Sequence, residues 1–320
     1  MSKKQTNPIG AEIFLTSKKK KKHPVFYIII ALVIITAGVM SYFIEYNDST
    51  PSWNEIYNAL GVNQTESDTP LSVHFIDVGQ GDCILIKSES NAILIDAGEK
   101  GNENTVIEYI RSQGIQTLDY VIATHPHSDH IGSLDEVIDA FTVSNVIMPK
   151  LTKSNMPTTS AYESLLTSIK NSGAKVISAK TGASYTLDKL EMTVLSPIEQ
   201  SDDLNDMSVV INLTYGDTSF LFMGDAEKSA ESLILKSDYS EYLNVDVLKV
   251  GHHGSSTSTG KKFLSAVSPE TAVIMCGIDN EYGHPHDETI ALLSERNINV
   301  LRTDELGTIV IGSDGFKLVY

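Results

Sequence analysis

Basic residues are scarce where a nucleic-acid-binding face would need them. Of 24 Lys and Arg residues in the 320-residue chain, seven (Lys3, Lys4 and Lys18 to Lys22) lie before residue 24, where Glu12 is the only acid among 41 Asp and Glu. Everything after that segment is therefore strongly acidic. This excludes a broad basic surface that grips a phosphate backbone, but it leaves room for a local groove lined by cations. Cysteine is nearly absent: Cys83 and Cys276 stand far apart, each inside an apolar run. Their surroundings predict buried thiols, with a disulfide as the alternative. No internal repeat stands out, and the lysine run is the only low-complexity tract. No histidine occurs between His130 and His252.

One long uncharged run is present. Residues 25–44 are rich in Ile, Val, Leu, Phe and Tyr and follow Lys18 to Lys22. About twenty helical residues cross a ~30 Å hydrocarbon core, and flanking lysines favour the cytoplasmic side. Signal peptides share this layout, but Ser41-Tyr42-Phe43-Ile44-Glu45 lacks the small-x-small pattern of a cleavage site. The expectation is an uncleaved single-pass anchor in the lipid bilayer. Residues 1–24 would then be a cytoplasmic basic segment and the remainder extracellular. Residues 45–70 are rich in Asn, Ser, Thr, Glu, Asp and Pro and read as a linker, with at most a helical turn or two at Trp53 to Leu60.

Residues 71–320 alternate strand-like and helix-like patterns. Leu71 to Val78, Cys83 to Ile86 and Ala92 to Ile95 read as three strands joined by tight turns. A helix from Asn102 to Arg111 and a strand from Leu118 to Ala123 follow, and helices and strands then alternate to the C-terminus. The strand-rich stretch between Glu191 and Met223 interrupts that alternation. This mixture predicts an α/β domain of two sheets flanked by helices, an αββα sandwich.

The chemistry concentrates at predicted strand ends. Thr124-His125-Pro126-His127-Ser128-Asp129-His130-Ile131-Gly132 places three imidazoles and a carboxylate in six positions after an apolar run. These are donors that a borderline divalent ion prefers. The His-x-His alternation sends two rings to one side of a turn, and Asp129 and His130 reach a second position, so one loop serves two ions. Phe220-Leu221-Phe222-Met223 stops at Gly224-Asp225, whose carboxylate has two oxygens to share between ions. Leu248-Lys249-Val250 runs into Gly251-His252-His253-Gly254-Ser255, where either histidine completes a metal shell. Tyr282-Gly283-His284-Pro285 precedes a helix and offers a ligand, a proton donor or an N-terminal cap.

Taken in order, His125-x-His127-x-Asp129-His130-x-Gly132, Gly224-Asp225 and His252-His253-Gly254-Ser255 resemble the metallo-β-lactamase fold superfamily. Asp77-Val78-Gly79-Gln80-Gly81-Asp82, Asn205-Asp206-Met207-Ser208 and Tyr282-Gly283-His284-Pro285 narrow the resemblance to the hydrolase domain of ComEC-type DNA-uptake proteins. The resemblance covers residues 71–320. It implies a two-metal site between the sheets that hydrolyses a phosphodiester or related ester. His125, His127 and His252 (or His253) would hold one ion, Asp129 and His130 the other, and Asp225 would bridge. Asp129 would also orient water. His253, His284, Asn205, Ser208 and Ser255 would contact phosphate or protonate the leaving group.

Two departures qualify the transfer. ComEC-type proteins carry a multi-helix channel on the same chain, whereas one span is all that fits here, so a channel would be a separate membrane partner. The histidine that many superfamily hydrolases place before Gly-Asp is absent, and Asn205 to Ser208 occupy that stretch. An oxygen-richer shell makes Mn2+ a rival to Zn2+. The leading expectation is a membrane-anchored nuclease-like phosphodiesterase acting on DNA. One alternative substrate is a small or cell-wall-borne phosphoester, such as phosphorylcholine or a nucleotide. A catalytically silent surface binding module is the reading from another class.

Overall fold

The computed structural model describes residues 69–320. The basic segment 1–24, the anchor 25–44 and all but the last two residues of the linker 45–70 lie outside the described residues. Among the described residues, no helix is long and apolar enough to cross a membrane.

Runs of apolar residues set the strands, because a strand covered on both faces carries no polar alternation. Strand β1 (Leu71–Phe75) is wholly buried and is followed by β2 (Ile84–Ser88) and β3 (Ala92–Ile95). Helix α1 (Glu103–Ser112) buries Val106 and Ile110, four residues apart on one face, and leads into β4 (Thr117–Ile122). The short helix α2 (Ser128–Ile131) and α3 (Leu134–Ala140) precede β5 (Thr142–Met148). Helix α4 (Ser160–Ser172) starts where the Thr159 side chain accepts from the Tyr162 amide, and ends at Gly173 with φ +74°. Then come β6 (Lys175–Ser178), β7 (Ser184–Leu187), β8 (Leu190–Ser196), β9 (Val210–Tyr215) and β10 (Thr218–Phe222). Helix α5 (Lys228–Lys236), β11 (Val247–Lys249), α6 (Lys261–Val267), β12 (Thr271–Ile274), α7 (Asp287–Ser294), β13 (Asn299–Arg302), α8 (Thr303–Leu306), β14 (Ile309–Ser313) and β15 (Leu318–Val319) complete the chain.

Two sheets result. The first has the order β15-β14-β1-β2-β3-β4-β5-β6, and the second β13-β12-β11-β10-β9-β8-β7. One apolar cluster lies between them and draws Phe75, Ile122 and Ile311 from the first and Phe222, Val247 and Val273 from the second. A second cluster packs α1, α3 and α4 on the first sheet, and a third packs α5, α6 and α7 on the second. The layers are helices, sheet, sheet, helices, as the sequence pattern predicts. Strand β7 is an addition to that pattern: Ser184-Tyr185-Thr186-Leu187 is polar and exposed at alternate residues, and it sits at the edge of its sheet. Both cysteines are buried free thiols.

Strands β3 to β6 run parallel, as do β10 to β13. Parallel strands deliver their carboxyl ends to one edge of a sheet, where loops carry functional groups on a rigid base. The ends of β3 (Asp96), β4 (Thr124), β10 (Gly224) and β11 (Val250) all contribute to the site below.

Candidate metal centre

Strand β4 runs into Thr124, and the chain then turns through His125, Pro126 and His127 into α2. His125 is buried, and its Nε2 lies 3.0 Å from His127 Nδ1 and 3.8 Å from Asp225 Oδ2. His130 is fully buried; its Nε2 lies 3.2 Å from Asp225 Oδ1 and 4.0 Å from Asp129 Oδ2. Asp225 enters from the end of β10, where the Ser208 hydroxyl accepts from its amide at 3.1 Å. That hydroxyl also lies 3.4 Å from His125 Nδ1.

The two adjacent histidines after β11 diverge. His253 Nε2 lies 3.3 Å from Asp129 Oδ2 and 3.4 Å from Asp225 Oδ2, and its Nδ1 donates to the Met275 carbonyl at 2.9 Å. His252 keeps 23% of its side chain exposed; Nε2 is 3.8 Å from Asp225 Oδ2, and Nδ1 lies 3.1 Å from Glu227 Oε1. Both residues sit in the left-handed region, at φ 49° and 52°. Two consecutive side-chain-bearing residues there cost about 1–2 kcal/mol each, strain that persists only where surroundings impose it. Gly254 has no alternative, since a Cβ on it would meet Pro285 Cβ at 2.6 Å.

Donor atoms from Asp129, His130, Asp225 and His253 lie within 4.8 Å of one another. Three buried atoms in this group, His130 Nε2, His253 Nε2 and Asp225 Oδ1, make no hydrogen bond. Buried polar atoms left in that state are costly, and one divalent cation would satisfy all three. His125 and His252 also approach the same carboxylate, and His127 lies against His125. Asp129, His130, Asp225 and His253 thus fit a divalent cation.

The charge balance fits cations as well. Burial alone would raise the Asp225 pKa, but His130 and His253 outweigh it and hold Asp225 well below the usual carboxylate range. Burial opposes charge on His130, yet Asp225, Asp96 and Asp129 hold its pKa well above that of an ordinary imidazole. Burial and the neighbouring His130 push His125 the other way, well below the ordinary value.

Three residues to which the sequence reading assigned no role in the site support the cluster from behind. Asp96, at the end of β3, meets His130 Nδ1 at 2.7 Å and accepts from the Thr124 amide and hydroxyl at 2.8 and 2.6 Å. Asp82 pairs with fully buried Lys249 and stands 3.4 Å from His253 Nδ1. Lys249 also donates to the Gly224 carbonyl at 3.0 Å, which fixes the turn that carries Asp225. The available signals were single charged residues in or beside apolar strands. Gly81 lets this layer close: a Cβ there would meet the Asp129 carbonyl oxygen at 2.1 Å, the atom to which the Asp82 amide donates.

The remaining predicted residues lie around this core. The Asn205 amide donates to Glu227 Oε1 at 3.3 Å, while its buried Oδ1 makes no hydrogen bond. His284 is buried with Nδ1 unbonded, and its ring stands edge-on to His252 at 5.4 Å. Ser255 turns its hydroxyl to Thr257 at 3.0 Å, within its own loop.

Comparisons with known proteins agree with this geometry. The profile described as "Metallo-beta-lactamase superfamily" matches residues 76–278. ComE operon protein 3 of Bacillus subtilis (strain 168) is 34% identical over 257 residues, covering 74% of this chain and 32% of its own length. Competence protein ComA of Neisseria gonorrhoeae is 30% identical over 239 residues, covering 74% of this chain and 31% of its own. These are the ComEC-type relatives that the motifs resemble, and the chain spans about a third of their length. Among solved structures, CmlA, a diiron beta-hydroxylase from Streptomyces venezuelae, superposes with a TM-score of 0.53 at 13% identity. It covers 77% of this chain and 55% of its own, a likeness of fold alone.

Proposed function

This chain belongs to the metallo-beta-lactamase superfamily, and we propose on that premise that it is a membrane-anchored, metal-dependent phosphodiesterase. The observation that carries the reading is the convergence of His125, His130, His252 and His253 on the buried Asp225 carboxylate. Asp129, His130 and His253 would hold one ion and His125, His127 and His252 a second, with Asp225 available to either set. Zn2+ or Mn2+ bound there supplies positive charge that makes water acidic enough to deprotonate near neutral pH and neutralises phosphoryl oxygens.

The chain's own residues do the rest. Ser208 fixes Asp225 through its amide. Asp129, one-quarter exposed, orients the attacking water. Asn205 presents its amide group toward a phosphoryl oxygen, and His284, held in place by Asn280 bonds to its backbone amide and carbonyl, contacts the phosphoryl group as a neutral imidazole, because burial and the neighbouring His253 and His252 lower its pKa to about 4. Residues 25–44 anchor the chain with this domain outside the membrane. The acidic surface favours a small or cell-wall-borne phosphoester over DNA, because like charge slows encounter with a polyanion.

The test is turnover by the full chain in mild detergent, loaded with zinc or manganese, on plasmid DNA, bis-(p-nitrophenyl) phosphate and phosphorylcholine esters. Metal-dependent cleavage of the small diester is expected. Cleavage of that diester with DNA left intact selects the small-ester substrate, and no turnover on any ester sinks the enzyme in favour of a binding module. Protease added to intact cells should remove the domain; protection would overturn the proposed orientation.

A further inference from the structure

The loop from 277 to 286 closes one wall of the centre, and only His284 has so far been given a task. Asn280 ties the loop to itself: its Nδ2 donates to the Gly277 and His284 carbonyls at 2.9 and 2.6 Å, and its Oδ1 accepts from the His284 amide at 2.9 Å. The loop is fastened to the rest of the domain where the Gly277 amide donates to Gln80 Oε1 at 3.3 Å. Tyr282 is thus held at its backbone, with its carbonyl 3.3 Å from His286 Nε2. The residue is nevertheless 58% exposed.

One face of the Tyr282 ring lies nearly parallel to His284, with centroids 5.7 Å apart and planes at 21°. His284 in turn stands edge-on to His252 and 6.2 Å from His253. A chain of rings therefore leads from His252 and His253 to an exposed aromatic face. Among the described residues, His284 is the only ring that Tyr282 contacts. The outward face is open and single. A quaternary ammonium is held by several aromatic faces set at angles, whereas a flat ring needs only one.

We propose that Tyr282 is a stacking platform for the nucleobase of a nucleotide unit whose neighbouring phosphoryl group is held at the metal centre. The proposal rests on the reading of that centre as a phosphoester site, and it narrows the substrate class to nucleotides or nucleic acid strands. Stacking tolerates any base, because each has a π-face, and a single base on an aromatic side chain strengthens binding about tenfold or more. Tyr282 sets specificity without touching the reacting atoms.

The experiment is calorimetric titration of the zinc-loaded full chain in detergent with guanosine monophosphate, ribose 5-phosphate and phosphorylcholine. Wild type should bind guanosine monophosphate about tenfold more tightly than ribose 5-phosphate. Tyr282→Ala should erase that preference and leave ribose 5-phosphate unaffected, and Tyr282→Phe should keep it. Equal binding of the two phosphates by wild type, an undiminished preference in Tyr282→Ala, a preference for phosphorylcholine, or no binding at all overturns the platform. The outcome separates from the hydrolase reading. A base preference lost in Tyr282→Ala, in a protein that hydrolyses no diester, keeps the platform and removes the catalysis. Hydrolysis with no base preference does the reverse.

Discussion

His253 and His252 are neighbours in the chain, yet one is 1% exposed behind Asp82 and the Met275 carbonyl while the other keeps 23% of its side chain in solvent beside Glu227 and Thr257. The contrast extends to the proposed donor sets they belong to, a buried half and an open half. In the buried half, Asp96, Asp82 and Lys249 form a complete layer behind the donors. In the open half, His127 lies against His125, and His252 is backed by the partly exposed Glu227 carboxylate. Donors with locked partners are oriented before any cation arrives, whereas the open half trades that precision for access.

The strongest way to break the comparison is to remove what the halves share. Asp225→Ala takes a carboxylate from both, and turnover of the small diester should fall about 10³-fold or more, a loss of about 4 kcal/mol of transition-state stabilisation. Metal content measured by mass spectrometry should fall from two ions per chain to one or none. Two ions retained with turnover inside tenfold of wild type would show that the halves do not meet at Asp225.

Next in size is the difference in stability between the layers. Lys249→Met leaves the Asp82 carboxylate buried without its cation, and removing one partner of a buried pair typically costs about 3–5 kcal/mol. Urea unfolding should register that loss, while His252→Ala stays within about 1 kcal/mol of wild type. Equal costs would mean that the buried half is no more prebuilt than the open one.

A third test compares two buried imidazoles. His130 faces carboxylates, but His74 in β1 bonds only to neutral groups, Ser72 Oγ and Tyr109 Oη, each at 2.8 Å. Burial, then Lys87, lowers His74 to about 4 from its ordinary 6.5. Because the folded state resists protonation, the stability this group contributes is fully present above pH 6.5 and is lost as pH falls through 4. The loss is about 3 kcal/mol, at about 1.36 kcal/mol per pH unit. Stability measured from pH 7 to 4 should show that slope, and His74→Gln should flatten it. An unchanged slope in the variant assigns the acid sensitivity to other groups.

Much of this was legible in the sequence, for reasons that differ from part to part. Apolar runs such as Ala92 to Ile95 and Phe220 to Phe222 announce strands because both faces are covered, and imidazoles packed at a strand end announce metal chemistry by residue type alone. Strand β7 was illegible because Ser184-Tyr185-Thr186-Leu187 pairs at a sheet edge with little to bury. Asp96 and Lys249 were illegible for the opposite reason. A lone charge in an apolar strand acquires meaning only when folding brings its partner, 34 positions away for Asp96 and His130. Which of His252 and His253 turns inward is set by left-handed backbone angles that no spacing rule encodes.

Asp96→Asn probes the backing of the buried half. Asparagine offers one acceptor where the carboxylate serves His130 and both Thr124 donors, so affinity for the ion held by His130 should fall about 10–100-fold in competition with a chelator.

Glu227→Gln is the matching change in the open half and the smallest expected effect. Its carboxylate accepts from the Asn205 amide and lies 3.1 Å from His252 Nδ1, with 21% of the side chain exposed. Glutamine keeps an oxygen for His252 and loses only a charge that water already screens. Ion affinity and turnover should therefore change by no more than about threefold, against one to two orders of magnitude for Asp96→Asn. If the two losses come out equal, solvent access does not weaken the backing of the open half, and Glu227 orients His252 as firmly as Asp96 orients His130.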